Sequence, residues 1–143
     1  MSDLTGDQME DKLYVQIVTP YDVFYEGKAD SLILPAVDGE IGIFPGHSPI
    51  VIALNPGELR LAADDRIIYA SVSDGFAQIE GDSAIIVVGS AELPEQIDIE
   101  RAEKAITRAE KRLASASTSA RERERSQKGI MRAKARIKVS GRK

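Results

Sequence analysis

The strongest constraint on how this 143-residue chain can fold is a change of grammar at Pro94. Before it, short runs of β-branched and aliphatic residues are cut roughly every 8 to 12 positions by Gly, Pro, Asn or Asp, the pattern of closely spaced strands. From Asp98 onward there is no proline, and alanine, arginine, lysine and glutamate dominate. A strand repeats its face every second residue and a helix about every 3.6, so one architecture cannot serve both halves. The expected fold class is α+β, an N-terminal all-β sandwich followed by a C-terminal two-helix antiparallel hairpin. We place the sandwich at 12–92 and the hairpin at 93–143. Residues 1–11 are polar and acidic with no apolar core, and are read as a flexible tail rather than a secretory signal.

Strands are expected over 13–18, 23–25, 31–34, 41–44, 50–54, 58–61, 66–72, 76–79 and 84–88, with turns at Asn55-Pro56-Gly57, Asp74-Gly75 and Gly81-Asp82. Alternate members of these runs should form the core: Val15, Ile17, Leu32, Leu34, Ile43, Ile52, Leu59, Ile68, Phe76, Ile85 and Val87.

In the helical region Ile99, Ala102, Ile106, Ala109, Leu113 and Ala116 make one narrow stripe, the seam of a helix that pairs with another. Asp98 stands where an N-cap belongs, and Ser119-Ala120-Arg121-Glu122 reads as a capping box opening a second helix. That helix has a thin apolar face of Ile130, Ala133 and Ile137, with Met131 and Ala135 beside it and Gly129 in its interior. Truncating a large buried aliphatic costs about 2–5 kcal/mol, so a seam with few of them holds weakly. A hairpin of this kind should be able to undock or straighten at the 114–119 connection.

The net charge of −4 hides an asymmetry. Residues 1–90 hold four Lys/Arg against fifteen Asp/Glu, and residues 91–143 hold fifteen against eight. Two such modules either meet different partners or attract each other. With no cysteine and one histidine, neither a disulfide framework nor an ordinary zinc site is expected. No apolar run approaches the roughly 20 residues that span a bilayer. Phosphate-cradling glycine motifs are missing. His47 is the one candidate general base, but its neighbour Ser48 points to the opposite face of an extended chain, and no catalytic residue is assigned. An enzyme would need a concave polar pocket at His47. A nucleic-acid-binding module using the basic helices is the alternative reading, weakened because no aromatic residue follows Phe76.

One segment stands out within the β half: Gly39-Glu40-Ile41-Gly42-Ile43-Phe44-Pro45-Gly46-His47-Ser48-Pro49. Its glycines and prolines suit a tightly specified corner, while Glu40, Ile41 and His47 could be presented outward. Together with Leu54-Asn55-Pro56-Gly57-Glu58-Leu59 and Ser73-Asp74-Gly75-Phe76, it resembles the epsilon subunit of bacterial F-type ATP synthases. The likeness runs from about Leu13 to Ile137, and Asp74 departs from a position more often glycine in that family.

The resemblance implies a non-catalytic rotor subunit, peripheral on the cytoplasmic side of the bacterial inner membrane. Its sandwich would bind the gamma subunit and the c-ring. Its helices would switch between a compact hairpin and an extended form that reaches the beta subunits and inhibits ATP hydrolysis. By motif, Glu40 and Ile41 would meet the c-ring and His47 would lie near the gamma and c-ring contacts. The segment Ile97-Asp98-Ile99-Glu100-Arg101-Ala102 is similar to the one with which some of these subunits bind ATP. Arg132 and Arg136 would complete that site, with Glu92 a looser match. Guanidinium groups one turn apart on a helix suit phosphate oxygens. No cofactor is required on this reading, and ATP would be a regulatory ligand. Asp98 as a plain N-cap and Arg101 as a solvated charge remain the simpler alternative.

Overall fold

In the computed structural model of the chain, residues 11–143 are described, so the tail reading falls, except at Asp11, outside the described residues. Ten strands come first: β1 (Leu13–Val18), β2 (Val23–Ala29), β3 (Ser31–Ala36), β4 (Gly39–Ile43), β5 (His47–Leu54), β6 (Gly57–Ala63), β7 (Arg66–Val72), β8 (Gly75–Gly81), β9 (Ser83–Val88) and β10 (Ala91–Glu92). A 3₁₀ turn at Pro94–Gln96 leads to α1 (Ile99–Ala114) and α2 (Ala120–Ser140).

The strands form one continuous sheet, ordered β10-β7-β6-β3-β5-β8-β9-β1-β2, with β4 paired to β3. It folds over at β3. Ser31, Leu32 and Ile33 pair with β6, whereas the other end of β3 reaches β5 only through Ala36 and Leu54. The two leaves close on a common core that includes Leu13, Val15, Ile17, Leu32, Leu34, Ile43, Leu59, Leu61, Ile79 and Ile86.

Seven of the expected core positions are buried, and Ile68 packs against the core half-buried. Phe76, Ile85 and Val87 are corrections. Phe76 and Ile85 are exposed and Val87 half-exposed, while Ala77, Ile79, Ala84, Ile86 and Val88 point inward. The run 84–88 is apolar throughout, so period-two alternation cannot assign its faces. The outward row Ala53, Phe76, Val87 and Val18 lies directly across β5, β8, β9 and β1.

The corner expected at 39–49 is mostly strand. Only Phe44, Pro45 and Gly46 lie between β4 and β5, and Gly46 takes a positive φ of 82°. His47, Ser48 and Pro49 open β5, with a register shift before Ile50. That irregularity spares Pro49 from having to donate in the ladder. β2 also runs longer than expected, through Gly27 to Ala29.

Both caps form as expected. Asp98 accepts from the Arg101 N–H at 3.0 Å, and Ser119 and Glu122 make a reciprocal capping box. α1 packs on α2, and α2 packs on β6, β7 and the Pro94–Gln96 turn. The seam between the helices buries Ala102, Ala109 and Ala133 fully but leaves Ile106, Leu113, Ile130 and Ile137 half-buried. Ile99, Ala116 and Met131 are exposed.

Candidate functional site

Glu92 on β10, Asp98 and Arg101 at the start of α1, and Arg136 on α2 converge on one small cleft. It has a volume of about 170 Å³ and is also lined by Gln96 and Ala102. Arg136 Nε donates to Glu92 Oε1 at 2.6 Å across it. Three separate elements therefore supply the walls, and the cleft exists only while the hairpin is folded against the sandwich. Of the residues singled out in sequence, Glu92, Asp98, Arg101, Ala102 and Arg136 meet here. Ile97 and Arg132 do not line it. Ile97 is buried, and Arg132 lies one turn before Arg136 on α2, half-exposed.

The cleft carries two guanidinium groups and two carboxylates, with Arg136 engaged by Glu92. Two guanidinium groups bracket the N-terminal end of α1, where the helix dipole is positive. The carboxylate of Asp98 is spent on its cap. At this size the cleft is smaller than the roughly 300–1,000 Å³ of pockets that enclose a small molecule.

A second group of contacts between helix and sandwich was missed in sequence. Glu58 on β6 is almost completely buried, 4% exposed, yet it is a carboxylate. It receives Arg60 Nη1 at 3.0 Å on Oε1, Arg142 Nη2 at 3.2 Å on Oε1 and Arg142 Nε at 2.9 Å on Oε2, with Lys138 Nζ at 3.6 Å. Burial pushes this carboxyl up, but the hydrogen bonds from Arg142 and Arg60 and the charges of Lys138 and Arg142 outweigh it. The net position is below the usual range. Arg142 also lies 4.7 Å over the ring of Tyr69. Farther along α2, Lys128 pairs with Asp74 at 3.2 Å.

The basic helix is therefore tied to the acidic sandwich at Asp74, Glu92 and Glu58. The charge asymmetry of the sequence signalled such attraction but not these partners. What would have pointed to Glu58 is the alternation Glu58-Leu59-Arg60-Leu61, whose polar face lies under a helix rather than in water.

The tip formed by β4 and β5 is less open than its glycines imply. Glu40 is held by Arg60, Nη1 to Oε2 at 3.0 Å and Nη2 to Oε1 at 3.2 Å, with its side chain still 50% exposed. Ile41 is half-buried against the core. His47 Nδ1 lies 2.7 Å from the Ser48 carbonyl oxygen, so that nitrogen carries the proton and donates. Glu40 and Ile41 line a shallow groove of about 360 Å³ together with Val37, Ile50 and Val51; His47 is not part of it.

Comparison with known proteins follows this division. Residues 12–94 match the family model described as ATP synthase, Delta/Epsilon chain, beta-sandwich domain, and residues 95–141 match its long alpha-helix domain. The ATP synthase epsilon chain of Halalkalibacterium halodurans is 40% identical over 130 residues, covering 91% of this chain and 98% of that one. That of Brevibacillus brevis is 44% identical over 103 residues, 71% of this chain and 78% of the relative. A chain in the cryo-EM structure of the Euglena gracilis mitochondrial ATP synthase shares the fold, with a TM-score of 0.78 at 19% identity, covering 91% of this chain and 81% of that chain. With both modules matched in order and relatives aligned along nearly their whole length, the chain belongs to the ATP synthase delta/epsilon chain family, among the epsilon chains of bacterial type.

Proposed function

We propose that the chain couples the rotor of an F-type ATP synthase through its sandwich and regulates ATP hydrolysis through its hairpin, with ATP favouring the docked state. It is a non-catalytic subunit of the central stalk. Among the described residues no helix is long and apolar enough to cross a membrane, which fits a peripheral position on the cytoplasmic side of the bacterial inner membrane. The exposed row Ala53, Phe76, Val87 and Val18 suits the gamma subunit, since a contiguous apolar sheet face asks to be covered. Glu40 and Ile41, at the edge of their groove, suit the c-ring, and His47 suits the boundary between the two partners. Undocking would free Lys128, Arg136, Lys138 and Arg142 from sandwich carboxylates for an acidic surface on the beta subunits.

The observation that carries the regulatory part is the cleft built from β10, α1 and α2 together. A ligand held there binds the docked state alone and stabilises it by RT ln(1 + [L]/Kd). Arg101 and Arg136 would take phosphate oxygens, and Arg132 would reach them by turning toward the cleft. Calorimetric or NMR titration of the isolated chain with ATP tests this. The expected result is saturable binding lost in Arg136→Ala, and absence of any response at millimolar ATP would retire the site. Removal of the residues after Glu95 should raise ATP hydrolysis in the assembled enzyme, and unchanged hydrolysis would remove the inhibitory role. Glu40→Lys should weaken c-ring association while the sandwich stays folded; full retention of coupled synthesis would retire that contact.

A further inference from the structure

Arg60 is shared between two sites. It holds Glu40 at the exposed tip with both terminal nitrogens, and it gives one of those nitrogens to the buried Glu58 as well. On Glu58 Oε1 it meets Arg142 Nη2, and Lys138 stands close by. The five groups form one chain of alternating charge, Glu40, Arg60, Glu58, then Arg142 and Lys138. It runs from the tip to the last turn of α2.

We propose that this chain is a latch that senses the tip: a cationic side chain of a partner that takes Glu40 loosens the C-terminal end of α2 from the sandwich. Two effects act in the same direction. Neutralising Glu40 leaves Glu58 alone against three cations, so the field at that end turns more positive and favours Arg142 and Lys138 less. Arg60, released from Glu40, also turns its full donor fork to Glu58, where Arg142 competes for the same oxygen. Besides Val139, which is fully buried in the last turn of α2, the buried groups at this end include Ser140 and Ser71, the cross-strand partner of Glu58, so the charges there add to a limited apolar hold. By reciprocity, an undocked helix leaves Glu40 and Arg60 readjusted for the partner, so docking of the tip and release of the helix favour each other.

The inference rests on the reading that the hairpin leaves the sandwich, but its test does not need the assembled enzyme. Amide hydrogen exchange in the isolated full chain reads the latch directly. Glu40→Gln stands for a carboxylate taken by a partner, and Glu40→Lys places a cation at the tip. Exchange in the last turn of α2, around Val139 and Ser140, should rise severalfold in Glu40→Gln and further in Glu40→Lys. The end of α2 near Lys128 should change less. In an Arg142→Gln background, where the latch is already open, neither change at Glu40 should add to the exchange.

Unchanged exchange in Glu40→Lys overturns the coupling, as does an effect of the same size in the Arg142→Gln background. A rise that spreads through Gly39–Ile43 marks local loss of β4 and overturns it too. ATP hydrolysis that is insensitive to the hairpin would instead retire the inhibitory reading and leave the exchange result standing.

Discussion

The sandwich and the hairpin are held by different forces. Of the twelve largest fully buried side chains among the described residues, eleven lie in the strands and one, Val139, in the hairpin. The strands close on packed Leu, Ile and Val, an attraction that is non-directional and not screened by salt. The helices meet along alanines, and α2 and the residues just after it meet the sandwich through Lys128–Asp74, Arg136–Glu92 and Arg142–Glu58. Ion pairs are directional, screened by salt and lost when either partner is recruited elsewhere. On the function proposed above, the difference would let the sandwich serve as a fixed mount and the hairpin as a releasable arm.

The largest expected effects fall in the sandwich. Leu32→Ala removes a completely buried side chain and should lower global stability by about 2–5 kcal/mol in denaturant melts. Gly75→Ala belongs with it, because an added Cβ would sit 2.0 Å from the Val87 carbonyl oxygen and force β8 away from β9. Val139→Ala should instead loosen α2 with little change in the sandwich midpoint. If Val139→Ala lowered that midpoint as far as Leu32→Ala, the two regions would be one cooperative unit and the contrast would fail.

Next comes Glu58. Replacing it by Gln removes the charge on which Arg142, Arg60 and Lys138 converge, and should cost helix docking about 1–3 kcal/mol. Acid tests the same bond. A carboxyl held below its ordinary value stabilises the docked form above the unfolded value, about 4.3 for Glu, and that contribution is lost as pH falls through the docked value. Docking should therefore hold steady from neutral pH down to about 5 and weaken below about 4, followed by α2 amide exchange, with Glu58→Gln flattening its share of the change. Weakening centred near neutral pH would assign the dependence to another group.

The same contrast decides what was legible in the sequence. Strand and helix grammars differ in period, so the fold class, the break near Pro94 and both N-caps could be read from local residues. Buried faces could be read where apolar and polar residues alternate, as at Leu13 to Ile17. They could not be read in the unbroken run Ala84 to Val88, nor at Phe76, whose large apolar ring lies on the outward face of β8. The cleft was partly legible because Asp98, Arg101 and Ala102 share one helical turn, whereas Arg136 reaches them only through packing of α2. Of the Glu58 cluster only the alternation at Glu58 to Leu61 left a local trace, since Arg142 lies 84 positions from Glu58 and no local pattern links it to β6. Interactions between modules are settled by docking geometry, which single-sequence periodicity does not contain.

At the hinge the expected effects are smaller. Arg123, near the start of α2, donates to the Leu113 and Ser115 carbonyls at 2.8 and 3.1 Å, so it caps the end of α1 from the other helix. Arg123→Ala should destabilise the closed hairpin by about 1 kcal/mol, seen as faster exchange or proteolysis at 115–119. Asp98→Ala should cost about 0.5–2 kcal/mol at the opposite end of α1 through loss of its cap. If opening at 115–119 responded to Asp98→Ala but not to Arg123→Ala, the hinge would be governed by helix propensity rather than by the cross-helix cap.

The smallest effect is expected at Lys128–Asp74, and it separates the two ends of α2. Both side chains are 42% exposed, so water and salt screen the pair, and exposed pairs of this kind contribute about 0.2–1 kcal/mol. Glu58 differs because its oxygens are shielded and each accepts a hydrogen bond. Lys128→Ala should therefore raise α2 exchange by about fivefold at most, and added salt should erase the difference. A double-mutant cycle with Asp74→Ala isolates the pair from any change in helix propensity, which alanine itself improves slightly. A coupling well above 1 kcal/mol that persists at high salt would place the hold on α2 at its N-terminal half. Release would then have to begin at the β7–β8 turn, and the tip at Glu40 would have no mechanical advantage over it. A small, screened coupling leaves the far end, around Glu58, as the place where the arm is held.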